Sequence, residues 1–205
     1  MAHPGLPAIT CDMPLHSYTR GMANKIKFAD PNRDISDQFT DSLQRVADDP
    51  RATILVGPGF IEAMVSALLE ARCKNKSRIN ENGREFTHSV KLIVLNEMGV
   101  IPDVLHERLH HLRKLRNDAA HQPLFVTDDA KITEMAKDVS HQGHFKLYKS
   151  PLFSFMTQCL HELWQLDYDF FEALFAPRGR EHRLKIIEAN ARTNAARSKA
   201  VRSTR

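Results

Sequence analysis

The sequence predicts an all-α fold: a helical bundle of four to five main helices, with an irregular N-terminal arm and a basic C-terminal tail. Apolar residues recur three and four positions apart over long stretches, the spacing that places them on one helix face. No alternating run reads as a sheet strand, and no internal repeat occurs. A chain of 205 residues, 42% apolar and 26% charged, can bury one good core but not two full-sized domains. The expected organisation is an arm over residues 1–35, a helical domain over 36–176 and a tail over 177–205.

The arm is rich in Pro and polar residues and has no sustained period. In "DISDQFTDSLQRVADD", Ile35, Phe39, Leu43 and Val46 share one helix face. Asp49 followed by Pro50 reads as a cap and a first-turn proline, opening a longer helix through "RATILVGPGFIEAMVSALLEAR". Pro58 cannot donate to the carbonyl of Ile54, so a kink or a break is expected there. Beyond it, Ile61, Met64, Val65, Leu68 and Leu69 make a strong apolar face. A polar loop leads to the short helix "THSVKLIVLNEMG", ended by Gly99. "IPDVLHERLHHLRKLRNDAAHQP" is the next helix, with Pro102 near its start and Pro123 after its end. A looser region holds one helix from Asp128 to Val139. "PLFSFMTQCLHELWQLDYDFFEALF" reads as a single long aromatic-rich helix from Pro151 to Phe175.

Composition narrows the function classes. No run of 18 consecutive apolar residues occurs, so no membrane span is expected. The first twenty residues have neither a basic n-region nor an apolar h-region, so no secretory signal is read there. Cys11, Cys73 and Cys159 are widely spaced and odd in number, which suits reduced thiols in a cytoplasmic protein. The net charge of +4 hides an asymmetry: from Arg178 to Arg205 there are nine Lys/Arg against two Glu, a net of +7, leaving −3 for the rest. Such a basic segment, with Arg178, Arg180, Arg183 and Lys185 at its start, suits a polyanion such as nucleic acid. A solvated helical tail is the plainer alternative, because no aromatic residue is interleaved to stack on bases.

The helix from Pro102 to His121 carries the chemistry. At ~100° per residue, Val104, Leu105, Leu109, Leu112, Leu115 and Ala119 form its apolar face. His106, His110, Arg113, Asn117 and His121 fall in a sector of roughly 80° beside it. Arg116 lies on the border, in the rhythm where an apolar residue belongs. A guanidinium against a core costs several kcal/mol without a partner. Arg116 therefore snorkels to water, pairs with an acid such as Glu62, or faces a cleft for an anionic ligand. His121, in the last turn, is favoured there by the helix dipole alone. Arg116 and His121 are five residues apart, ~140° on an ideal helix. They converge only if the helix end unwinds or a second copy completes the site.

The stretch "RNDAAH" resembles the Arg-polar-x-x-x-His signature of the HEPN superfamily, and the wider sequence is similar to its mannitol-repressor-like branch. Three segments carry the likeness: "RATILVGPGFIEAMVSALLEAR", "FTHSVKLIVLNEMGVI" and "LHHLRKLRNDAAH", together spanning about Asp49 to His121. The "GPG" interruption, the arm and the basic tail depart from that pattern. The resemblance implies two functions. In one, the protein is a metal-independent, cofactor-free endoribonuclease acting as a homodimer, of a toxin, defence or RNA-processing kind. His121 would then be the general acid/base, Arg116 would hold the scissile phosphate, and Asn117 would orient either. Glu62, Arg113 and His110 would support the site. In the other, it is a non-catalytic regulatory module that binds a nucleic acid, a protein partner or an antitoxin.

Other constellations are weaker. His106 and His110 have i,i+4 metal spacing, but adjacent arginines disfavour a cation and the zincin arrangement is absent, so no metal is expected. His141 and His144 read as a solvated loop, and Cys159 with His161 as core rather than a nucleophile. No Walker A, dinucleotide-binding or G-x-S-x-G motif occurs, and no helix-turn-helix reader is evident.

Overall fold

A computed structural model describes residues 30, 32–74, 85–137 and 150–187. Among them every regular element is an α-helix and there is no strand. In chain order these are α1 (Ile35–Arg45), α2 (Pro50–Arg72), α3 (His88–Glu97), α4 (Asp103–His121), α5 (Asp129–Lys137), α6 (Pro151–Leu166), α7 (Tyr168–Phe175) and α8 over residues 177–187. The chain divides into two compact units, one of residues 36–171 and one of residues 1–35 with 172–205.

In the first unit α2 is the central helix, packed against α3, α4 and α6. Asp49 caps it, its carboxylate accepting the Ala52 N–H at 3.1 Å, with Pro50 in the first turn. Ile54, Ile61, Met64, Val65, Leu68 and Leu69 are all essentially inaccessible. The break expected at Pro58 does not occur, and one helix runs the full 23 residues. Apolar burial on both sides of Pro58 outweighs the ~3 kcal/mol cost of an interior proline. Gly57 explains part of the tolerance: a Cβ there would overlap the sulfur of Met156, so the glycine lets α6 approach closely. By length and composition α2 could cross a membrane, which the sequence reading did not anticipate, but 61% of its apolar window is buried inside the protein, as in a core helix.

Helix α3 is capped by Thr87 and ends in a Schellman turn. Gly99 has φ +68°, the Val100 N–H reaches the Leu95 carbonyl at 2.9 Å, and the Gly99 N–H reaches Asn96 at 2.8 Å. The long aromatic helix expected over 151–175 is instead two helices. Asp167 leaves helical geometry (φ −151°, ψ 72°), accepts the Phe170 N–H at 3.4 Å, and pairs with Arg72 at 3.1 Å. An acid that caps the next helix and binds the end of α2 is better placed outside a helix than within one. The helix read over 128–139 is seen as Asp129–Lys137, and Val139 lies outside the described residues.

In the second unit, Asp34 accepts the backbone N–H groups of Arg178 at 3.2 Å and Gly179 at 2.9 Å, capping the first turn of α8. The Arg178 guanidinium donates to the Asn32 carbonyl. Nearly all of the expected arm, and the tail beyond residue 187, lie outside the described residues.

Candidate functional site

Helices α2, α3 and α4 pack against one another, and the candidate site is built where their polar borders meet. On α4 the buried stripe is Leu105, Arg108, Leu109, Leu112 and Ala119. Val104, expected on that face, is 56% exposed, because it stands ~100° round the helix from Leu105. Leu115 is half-buried.

Arg116 pairs with Glu62 of α2, Nη1 to Oε1 at 3.3 Å, as the structural reading of this residue expected. The pair is not sealed in the core: the two side chains keep 41% and 33% of their exposure. Asn117 and His121 are exposed. Helix α4 stays regular to its last residue, with the Gln122 N–H on the Asp118 carbonyl at 2.8 Å and Gln122 itself extended. Arg51 at the start of α2 donates to the Pro123 carbonyl at 3.0 Å, tying down the chain that leaves α4. The helix end does not unwind, so Arg116 and His121 diverge by ~140° within one chain. Of the two routes to convergence, pairing with a second copy is the one left.

Around Arg116 the polar groups come in pairs from three helices. Alpha-3 supplies His88 and Lys91, α4 supplies Arg113 and Arg116, and α2 supplies Glu62 and Ser66; all six are half-buried. Lys91 Nζ donates to Ser66 Oγ at 2.9 Å. Burial pushes the His88 imidazole down to about 4, and the charges of Lys91, Arg113 and Arg116 push it the same way. Its ring is therefore neutral at neutral pH. His88 Nδ1 and Arg113 Nε are both buried without a hydrogen-bond partner. His110 is exposed, its ring centroid 6.4 Å from that of His106, and Nε2 of His106 is likewise buried without a partner.

Two groupings were not read from the sequence. Arg108 is 4% exposed, and its Nη1 reaches both carboxylate oxygens of Glu162 on α6, at 2.9 and 3.0 Å. The signal was present: Arg108 lies three residues after Leu105 and four before Leu112, inside the apolar stripe rather than on its border. The second is an apolar groove of about 350 Å³ lined by Phe39, Phe60, Phe153, Leu160, Trp164 and His161, drawn from α1, α2 and α6. Phe39 and Phe60 stack in it at 4.4 Å between ring centroids. Cys159 is fully buried and its thiol is pushed up, chiefly by desolvation, which does not suit a nucleophile.

Of the basic residues expected to meet nucleic acid, Arg183 pairs with the buried Glu172, and Lys185 pairs with Glu181 at 2.7 Å, one helical turn away. Arg178 is engaged as described above, and Arg180 is half-buried. His141 and His144 lie outside the described residues. Among the described residues no group of three His, Cys, Asp or Glu side chains is placed to hold a metal ion. Compared with known proteins, the chain matches no family model, no curated protein and no solved structure.

Proposed function

We propose that the protein is a HEPN-like endoribonuclease of the cytoplasm that cuts RNA as a homodimer, without a metal or cofactor. Each composite site would take Arg116 from one copy and His121 from the other. The 2′-hydroxyl attacks the adjacent phosphorus and the bond to the 5′-oxygen breaks, leaving a 2′,3′-cyclic phosphate and a 5′-hydroxyl. His121 either takes the 2′-hydroxyl proton while water protonates the leaving 5′-oxygen, or gives the leaving oxygen its proton while water accepts the one from the 2′-hydroxyl. Arg116 stabilises the charge that develops on the phosphoryl oxygens, and Asn117, four residues before His121 on the same face, orients the phosphate or the ring.

One observation carries this reading: the Arg116–Glu62 pair is open, so the guanidinium reaches solvent from a border already crowded with Arg113 and Lys91. An exposed ion pair is worth at most ~1 kcal/mol, so a phosphate can displace the carboxylate. The same pair also supports a second reading, a mannitol-repressor-like regulatory module that binds a protein partner, an antitoxin or nucleic acid without cutting. There Glu62 simply satisfies Arg116. Labelled RNA incubated with the wild type in EDTA, beside the Arg116→Ala/His121→Ala double variant, separates the two. The ribonuclease reading expects cleavage by the wild type only; intact RNA across several substrates leaves the binding module standing.

A further inference from the structure

The geometry points to a phosphate seat between α3 and α4, formed by Arg113 and His88 with Lys91 at its edge, which holds a phosphate group whether or not any RNA is cut. It goes beyond the ribonuclease reading, because it uses neither His121 nor a second copy.

Arg113 is the anchor. It is half-buried on α4, its Nε is sealed from water without an acceptor, and among the described residues it makes no ion pair. A guanidinium N–H sealed from water and left without an acceptor is costly. An unsatisfied buried donor calls for a further group, and here the surrounding charge says which kind. Lys91 and Arg116 reach Ser66 and Glu62, which stand one turn apart on α2, and His88 and Arg113 stand one turn before Lys91 and Arg116 on their own helices, so the three cations share one neighbourhood. The carboxylate that an ion pair places among them, Glu62, is held by Arg116. His88 Nδ1 is also buried without a partner.

The donor chemistry fits a tetrahedral oxyanion. A guanidinium offers a fork that two phosphate oxygens can accept, an ammonium offers a point charge, and a neutral imidazole adds one N–H without adding a fourth positive charge. The Ser66 hydroxyl, held by Lys91 at 2.9 Å, keeps that ammonium extended toward α2 and sets the seat's edge. A phosphate arriving among these groups offsets the repulsion that, after burial, helps to hold His88 neutral. Binding and protonation of His88 are therefore linked: each favours the other. The groups that face His88 in this linkage are Lys91 on its own helix and Arg113 and Arg116 on α4, with Glu62 and Ser66 on α2 beside them.

The shared chemistry is a phosphate group, and it has two sources, a nucleic-acid backbone or a free phosphomonoester. The test is nitrogen-15 NMR of the full chain, following the His88 ring and the Arg113 Nε–H, titrated with inorganic phosphate against sodium chloride of matched ionic strength. A parallel arm uses a short 2′-deoxy oligonucleotide, which cannot be cleaved through a 2′-hydroxyl. The seat predicts saturable shifts of both signals with phosphate but not chloride, and a His88 titration midpoint that rises by roughly one unit when phosphate is bound. Tighter binding of the oligonucleotide assigns the seat to a backbone phosphate, and tighter binding of inorganic phosphate assigns it to a free phosphomonoester.

Arg113→Gln should weaken phosphate at least ~10-fold, consistent with the loss of a charge-assisted fork. Arg113→Lys, which keeps the charge and loses the fork, should fall between, and Lys114→Gln, at an exposed cation of α4 outside the seat, should bind as the wild type does. Folding of each variant is checked by the same spectrum. No saturable shift with either phosphate source, or unchanged affinity in a folded Arg113→Gln, overturns the seat. Phosphate binding without RNA cleavage overturns the ribonuclease reading alone, and cleavage without phosphate binding overturns the seat alone.

Discussion

Helix α4 carries two arginine–glutamate pairs about two turns apart, in opposite environments. Arg108 and Glu162 retain 5% and 25% side-chain exposure, with both carboxylate oxygens on one guanidinium nitrogen at 2.9 and 3.0 Å. Arg116 and Glu62 meet at 3.3 Å with 41% and 33% exposure. The chemistry is the same and the consequences differ. The inner pair joins α4 to α6, in a place where losing Glu162 strands the Arg108 guanidinium without water. The outer pair competes with solvent and can exchange its carboxylate for another anion. A charged residue within an apolar stripe thus marks structure, and one on the stripe's border is available for chemistry.

The comparison breaks most easily at Arg108. Glu162→Ala should cost about 3–5 kcal/mol in urea unfolding, because it leaves Arg108 buried and uncompensated. Replacing both partners by apolar residues of similar volume should recover most of that loss, since the cost is the stranded charge rather than the missing attraction.

The next effect is acid sensitivity at His88. Its imidazole sits at about 4 in the folded chain, against an ordinary value near 6.5, so the unfolded chain takes up the proton first. Stability is then full above pH 6.5, falls as the pH drops toward 4, and levels below it. A shift of that size corresponds to a loss on the order of 3 kcal/mol. Unfolding followed from pH 7 to pH 4 should show this slope in the wild type and a much shallower one in His88→Asn. An equal slope in both would remove His88 from the linkage.

Arg116→Ala should have the smallest effect on stability, under ~1 kcal/mol, and less still in 1 M salt, where a surface pair is screened. A loss matching that of Glu162→Ala would erase the distinction between the two pairs.

Much of the fold was legible because local rules decide it. The three- and four-residue apolar rhythm marked α1 to α4, the Asp49 cap and Pro50 opened α2, and the Gly99 turn closed α3. Pro58 misled, because its local cost is overruled by contacts made far along the chain, Met156 against Gly57 among them. The interruption at Asp167 was hidden for a similar reason: its partner Arg72 is 95 residues away. Asp34 capping α8 is likewise set by residues some 144 positions apart, which no window of sequence contains.

The site divides in the same way. That Arg116 needs a partner could be read from one helix face, with Glu62 as one of three answers left open. The gathering of His88 and Lys91 beside Arg113 could not, because their proximity depends on how α3 packs on α4. That Arg108, rather than Arg116, is the arginine in the core was present in the periodicity, in its place between Leu105 and Leu112 on the stripe, but a charged residue there was not read as core.

The account rests on the outer pair being free for chemistry while a regular α4 keeps Arg116 and His121 of one chain apart. Complementation tests this most directly. Arg116→Ala and His121→Ala proteins are each assayed for RNA cleavage in EDTA, then unfolded together, refolded as a mixture and assayed again. The account predicts that each variant alone is inactive and that the mixture recovers a substantial fraction of wild-type cleavage, because a mixed dimer restores one composite site. A mixture as inactive as its components, beside an active wild type, would contradict a site shared between copies.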